Sequence, residues 1–235
     1  MKWEFTPDEF MHLWNETGTD RYPFPLRLLA SVRWEDEFDR ITRELRQRLP
    51  LGDDPDFSAA LRVAAHPQTT LALIGTRRRP VRAYGAIDSD IGVTLVQRPG
   101  PEPAFGANVV IEVGSPGIVP KVFAAVLGNV PAGRHSPIFE DTERLRESLE
   151  SWHGTKETAA DRIRRLLNAP RSGAGTIECQ RSLRDSPEPT TQYLNWFDIE
   201  DDGRYTYRRQ YNEFHIIPCD QTTLTQELTH MIRPY

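Results

Sequence analysis

A capped helix, four short β-rich runs and a second capped helix follow one another in this chain, and the same order then recurs. In the first half Asp54-Pro55 caps a helix through Leu61, Val63 and Ala64, and β-rich runs follow at 69–74, 81–87, 92–96 and 108–113. Ser115-Pro116 then opens a helix carrying Ile118, Val122, Phe123 and Val126. In the second half a helix spans 155–167, with Ile163, Leu166 and Leu167 apolar, and runs follow at 176–183, 192–198, 204–209 and 214–217. Asp220 caps a last helix with Leu224, Leu228 and Met231 on one face. The two sets are offset by about 105 residues. Short turns between the runs, Ile87-Asp-Ser-Asp-Ile-Gly92 and Ile199-Glu-Asp-Asp-Gly203 among them, read as an antiparallel meander. Two four-stranded halves can join into one broad, largely antiparallel sheet with helices on its faces. The expected class is therefore α+β, one domain over 1–235, with halves at about 54–128 and 155–233.

Ahead of the repeat, Thr6-Pro-Asp-Glu9 is a capping box with proline at the first helical position. Phe5 and Phe10 have the spacing of a hydrophobic staple, and Phe10, Leu13 and Trp14 mark the apolar face. Tyr22-Pro-Phe-Pro-Leu-Arg-Leu-Leu29 reads as an extended segment that its prolines confine to a sheet edge. Trp34, Phe38, Ile41, Leu45 and Leu49 recur at helical spacing and predict an amphipathic helix. Residues 131–152 read as a linker, then a short helix around Leu145, Leu149 and Trp152.

At 235 residues the chain can bury a sizeable core, and 38% hydrophobic with 27% charged residues is a globular balance. A net charge of −5 argues against wholesale nucleic-acid binding. No apolar run approaches membrane-spanning length, and the start carries no apolar signal core, so a cytoplasmic protein is expected. Cys179 and Cys219 stand forty residues apart, outside any CxxC pattern, and are expected to be reduced thiols.

Chemistry finds few footholds. Asp198-Ile-Glu200-Asp201-Asp202-Gly203 resembles the first half of a calcium loop, but its twelfth position is Arg209 where a bidentate carboxylate is needed. A solvated Asp/Gly turn between strands accounts for the same residues. The six histidines show no metal-ligand spacing, and His153, beside Trp152 and Glu150, is a weak candidate for nucleophilic chemistry. No nucleophile elbow, P-loop or dinucleotide fingerprint occurs. Arg77-Arg-Arg-Pro-Val-Arg82 is a basic run at a hairpin, read as solvated, with an acidic partner or RNA as the other possibility. The aromatics of Arg204-Tyr-Thr-Tyr-Arg-Arg-Gln-Tyr211 fit strand alternation, Tyr205 and Tyr207 on one side and Arg204 and Thr206 on the other.

Phe5-Thr-Pro-Asp-Glu-Phe-Met-His-Leu-Trp14, Ala83-Tyr-Gly-Ala-Ile-Asp88, Trp196-Phe-Asp198 with Gly203-Arg-Tyr205, and Ile216-Ile-Pro218 before the last helix together resemble the EspG family. That family comprises chaperones of type VII secretion substrates. The resemblance implies an α+β fold with a central sheet, flanking helices and a C-terminal helical bundle. It implies no catalytic residue, cofactor or metal, and as partner a PE–PPE-like heterodimer or other type VII substrate whose apolar helix tip is kept soluble for export. The surfaces implied are the hairpin loop after the second strand, mapped to 84–91, the strand 192–198, and the helices near Ile163 and Leu228. The residues are Tyr84, Ile87, Asp88, Ser89, Asp90, Tyr193, Asn195, Phe197 and Leu228. Two other readings stand beside it: a binding or regulatory module on a duplicated α+β scaffold, and a metal-dependent enzyme using the Asp198–Asp202 carboxylates.

Overall fold

The computed structural model describes residues 1–150, 158–184 and 188–233. Trp152, His153 and the first residues of the helix expected from 155 lie outside them.

Ten antiparallel strands form one sheet in the order β1-β5-β4-β3-β2-β7-β8-β9-β10-β6. They are β1 (Lys2–Phe5), β2 (Thr69–Arg77), β3 (Arg79–Asp88), β4 (Ile91–Pro99), β5 (Gly106–Gly114), β6 (Ile138–Asp141), β7 (Arg171–Arg181), β8 (Thr190–Ile199), β9 (Gly203–Gln210) and β10 (Glu213–Pro218). β2 and β7 meet at the centre, with Gly75 opposite Gly175. Outward from that pair both sides run through three meander strands, then end on the strand that opens their half, β1 or β6. The expected count of four strands per half is thus short by one. Each missed strand has four residues, too few for alternation to register against neighbouring helix signals. Both gain their backbone partners only across the fold, from β5 and β10.

The helices are α1 (Pro7–Trp14), α2 (Glu35–Arg48), α3 (Pro55–Ala65), α4 (Ile118–Leu127), α5 (Thr142–Glu150), α6 (Ala159–Asn168) and α7 (Gln221–Ile232). Their starts follow local chemistry. The Thr6 hydroxyl accepts from Glu9 N while the Glu9 carboxylate accepts from Thr6 N, and Asp54 and Asp220 accept from amides of the first turn. Thr158 and Asp161 form a second capping box, on α6.

α4 and α7 pack side by side on one face of the sheet, over Leu71, Leu73, Ala83, Ile177, Leu194 and Trp196. On the opposite face α1 and α3 cover β3–β5 through Phe10, Trp14, Phe57 and Leu61. Farther along that face α6 covers Phe197, Tyr205 and Ile216. No helix of the described residues is long and apolar enough to cross a membrane.

Before residue 50 one expectation fails and another holds with less burial than its pattern suggested. The segment around Tyr22–Leu29 is an irregular strap, not a strand. Prolines 23 and 25 remove amide donors, and the Gln97 side chain takes the backbone of Arg27 instead, accepting from its N at 2.9 Å and donating to its O at 3.0 Å. α2 forms, yet of its apolar stripe only Leu45 is buried, and Trp34 is 70% exposed. Its N-terminal turns are exposed all round, so periodicity reported the helix and not its packing.

Cys179 and Cys219 are unpaired and buried under α4 and α7. Burial pushes both thiols up to about 12. The folded protein therefore holds these protons when an unfolded chain would release them. The stability this confers is full below the ordinary thiol range and is lost as pH climbs toward 12. At pH 8 neither thiol is expected to react with a disulfide reagent in the native state, and both react in denaturant. Stoichiometric native labelling would show that burial does not protect them.

Candidate functional site

Between the α1–α3 layer and α6, the middle of one sheet face stays open among the described residues. Strand registers order its residues into rows. Arg82, Ile74, Thr176, Asn195 and Tyr207 stand side by side across β3-β2-β7-β8-β9. Beside them run Tyr84, Ala72, Glu178 and Tyr193, and on the other side Pro80, Thr76, Ala174, Phe197 and Tyr205. Ile74 is 40% exposed and Tyr193 55%, large apolar groups left open in the centre of a sheet. Small residues, Ala72, Ala174, Thr76 and Thr176, form the floor between them. The result is a shallow strip with small side chains at its centre and aromatic and aliphatic groups beside them.

Hydrogen bonds hold the polar part of the strip. Thr176 Oγ1 donates to Asn195 Oδ1 at 2.8 Å, and Asn195 Nδ2 reaches Tyr207 O at 3.5 Å. The amide retains one further N–H and acceptor capacity for a docked group. Aromatic contacts brace the second-half side: Phe197 stacks on Tyr205 at 5.5 Å and touches Tyr207 at 5.9 Å, which meets Phe214 at 5.8 Å. On the first-half side Tyr84 donates its hydroxyl to Ala64 O at 3.0 Å, and burial raises its pKa above the ordinary tyrosine value.

The residues expected to contact a partner divide. Tyr193 and Asn195 lie on the open strip. Asp88, Ser89 and Asp90 form the β3–β4 turn at the strip's far end, where Arg184 pairs with Asp88 at 3.0 Å. Tyr84, Ile87, Phe197 and Leu228 are buried, the last two completely, and support the face from inside the cores. Their positions carried an apolar signal, and apolar residues on covered strands and helices go inward. Counting Lys2–Phe5 as a strand also moves the hairpin after the second strand to Arg77-Arg78-Arg79, where Arg78 takes φ 56°. The hairpin at 84–91 follows the third.

Sequence reasoning passed over Ile74, Thr76 and Thr176. Their only signal is an apolar or small residue on both faces of a β2/β7 pair that the repeat makes central.

The acidic turn is a structural knot. Asp198 is 1% exposed rather than solvated, and accepts a fork from Arg204, Nε at 2.7 Å and Nη2 at 3.1 Å. Arg77 Nε approaches the same carboxylate at 3.2 Å. Arg204 also donates to Leu127 O at 2.7 Å and Gly128 O at 3.3 Å, capping the end of α4. Arg77 donates to Leu127 O as well, so this part of the basic run is not simply solvated. Asp202 faces elsewhere, accepting from Tyr205 Oη at 2.6 Å and Arg134 N at 2.8 Å. Burial alone would raise the Asp202 pKa, but these bonds hold it below the usual carboxylate value. Burial first, and then the bond to Asp202, push Tyr205 up to about 12. Each carboxylate thus has cationic or hydroxyl partners of its own, and they do not converge. Tyr205 and Tyr207 face one way and Arg204 and Thr206 the other, as alternation predicts.

The sequence profile of the EspG family matches residues 6–230 of this chain. No curated protein sequence matches it. Among solved structures it is similar to the Mycobacterium tuberculosis type VII secretion system chaperone EspG5, determined in complex with a PE25–PPE41 dimer. That likeness has a TM-score of 0.67 at 13% identity and covers 100% of this chain and 98% of EspG5.

Proposed function

We propose, because this chain belongs to the EspG family, that it is a type VII secretion chaperone receiving the helical tip of a PE–PPE-like pair on its open strip. It would keep that tip soluble in the cytosol until export. The open strip is the observation that carries this reading. A helix tip exposes apolar side chains together with backbone groups that have no partner inside the helix. Ile74 and Tyr193 offer contact to the first, and the Asn195–Thr176 pair offers hydrogen bonds to the second. Small residues between them allow close approach. The Arg77–Arg79 turn and the Asp88–Asp90 turn stand at opposite ends of β3, one at each end of the strip.

The test is co-expression with a PE–PPE-like pair encoded beside this protein. A soluble, stoichiometric complex on a sizing column is expected. Ile74→Asn removes an apolar contact and Tyr193→Glu puts an unpaired charge into the interface, and each should weaken the complex by about tenfold or more, roughly 1.4 kcal/mol. Both sites are exposed in the free chain, so thermal stability should be unchanged. A complex indifferent to both substitutions would remove the strip from the mechanism.

A further inference from the structure

The row through Ile74 continues on its first-half side to Arg82 and then Gln97. Gln97 is the residue whose side chain clamps the Arg27 backbone, so the strap delivers Arg27 to the neighbourhood of Arg82. Gly106 N donates to Arg27 O at 2.9 Å and fixes the same point from β5. Arg27 and Arg82 are thereby brought to one corner of the strip, near enough for Arg27 to act on the charge of Arg82. Arg82 uses one donor on Pro103 O at 2.6 Å. Neither arginine makes an ion pair among the described residues, and Glu102, next to Pro103, makes none with them. Burial and the field of Arg27 both lower the Arg82 pKa, the mark of a cation whose surroundings do not neutralise it.

A guanidinium with donors to spare and no counter-charge, on the residue paired with an exposed isoleucine, matches one kind of visitor, an apolar side chain with a carboxylate close by. We infer that Arg27 and Arg82 form an acid-reading corner of the strip, where a carboxylate on the docked helical segment seats between them as its apolar neighbour meets Ile74. This rests on the docking reading above and adds the chemistry of the partner. Charges at the rim of an apolar contact act mainly on specificity and encounter rate. The corner would therefore select among helical segments of similar hydrophobicity.

The probes are three designed amphipathic helical peptides with one leucine stripe and with Glu, Gln or Lys at the polar positions flanking it. Titration into the full chain at low salt should give about tenfold tighter binding of the Glu than of the Gln peptide, and the weakest binding for Lys. High salt, or the double variant Arg27→Gln/Arg82→Gln, should abolish the Glu advantage, so that the Glu and Gln peptides bind alike. A thermal melt of the double variant that matches the parent chain shows that the loss reads charge and not folding. Equal binding of Glu and Gln peptides, or a Glu advantage that survives the double variant, overturns the acid-reading corner while the strip stands. Binding of no peptide, or peptide binding that ignores Tyr193→Glu, overturns the strip and the corner with it.

Discussion

Asp198→Ala should cost about 3–5 kcal/mol of folding stability, the range for removing one partner of a buried ion pair. Arg204 is wholly buried, and the substitution leaves its guanidinium with two carbonyl acceptors and no counter-charge. Arg77 loses the same partner. The damage is wider than one contact, because Arg204 joins β9 to β8 through Asp198 and joins both to the end of α4 through Leu127 and Gly128. For a chain of this size the melting temperature should fall by roughly 10 °C or more. Removing both charges, as Asp198→Leu with Arg204→Met, should recover much of the loss, since apolar replacements of buried pairs are often near neutral. Urea titration followed by circular dichroism measures both. A loss below about 1 kcal/mol in Asp198→Ala would mean that the pair is hydrated and not part of the knot.

Trp196→Ala should be as severe, about 3–5 kcal/mol, by the usual cost of emptying a large aromatic site. Trp196 is wholly buried, and its ring lies over Gly75, Gly173 and Gly175 on β2 and β7. Arg204 Cζ sits 5.6 Å from the same ring. The three glycines leave the space that the indole fills, which gives a reason for the glycine-rich start of β7. Gly175→Ala tests the arrangement from below. A β-carbon there would stand 2.3 Å from Ile74 O and 2.9 Å from Trp196 Nε1, so it should cost about 1–3 kcal/mol. Combining it with Trp196→Ala should rescue only part of that cost, because the nearer clash is with backbone. Full rescue would show that the glycine exists for the indole alone.

Much of the architecture was legible because the controlling signals are local. The caps at Thr6, Asp54 and Asp220 place helix starts within a residue or two, since the hydrogen bonds that make a cap reach only three positions. The eight longer strands announce themselves through alternation and turns. The knot and the strip were hidden for the opposite reason. Asp198 in sequence is one acid among several in a turn. Its burial comes from Arg204 six residues on, from Arg77 on another strand, and from α4, which has to end at that place. Phe197 and Leu228 entered as contact residues because the family resemblance maps their strand and helix to its binding surfaces. Burial under α6 and α4 removes them.

The chain's own pattern determined that it would make a twice-run meander with capped helices, since periodicity, turns and caps are properties of neighbouring residues. Tertiary structure alone decided that β2 and β7 would meet at the centre, that β1 and β6 would close the edges, and that one stretch of sheet would be left without a helix above it. An open face is defined by what fails to cover it. That depends on where distant helices can pack, and no window of adjacent residues encodes it.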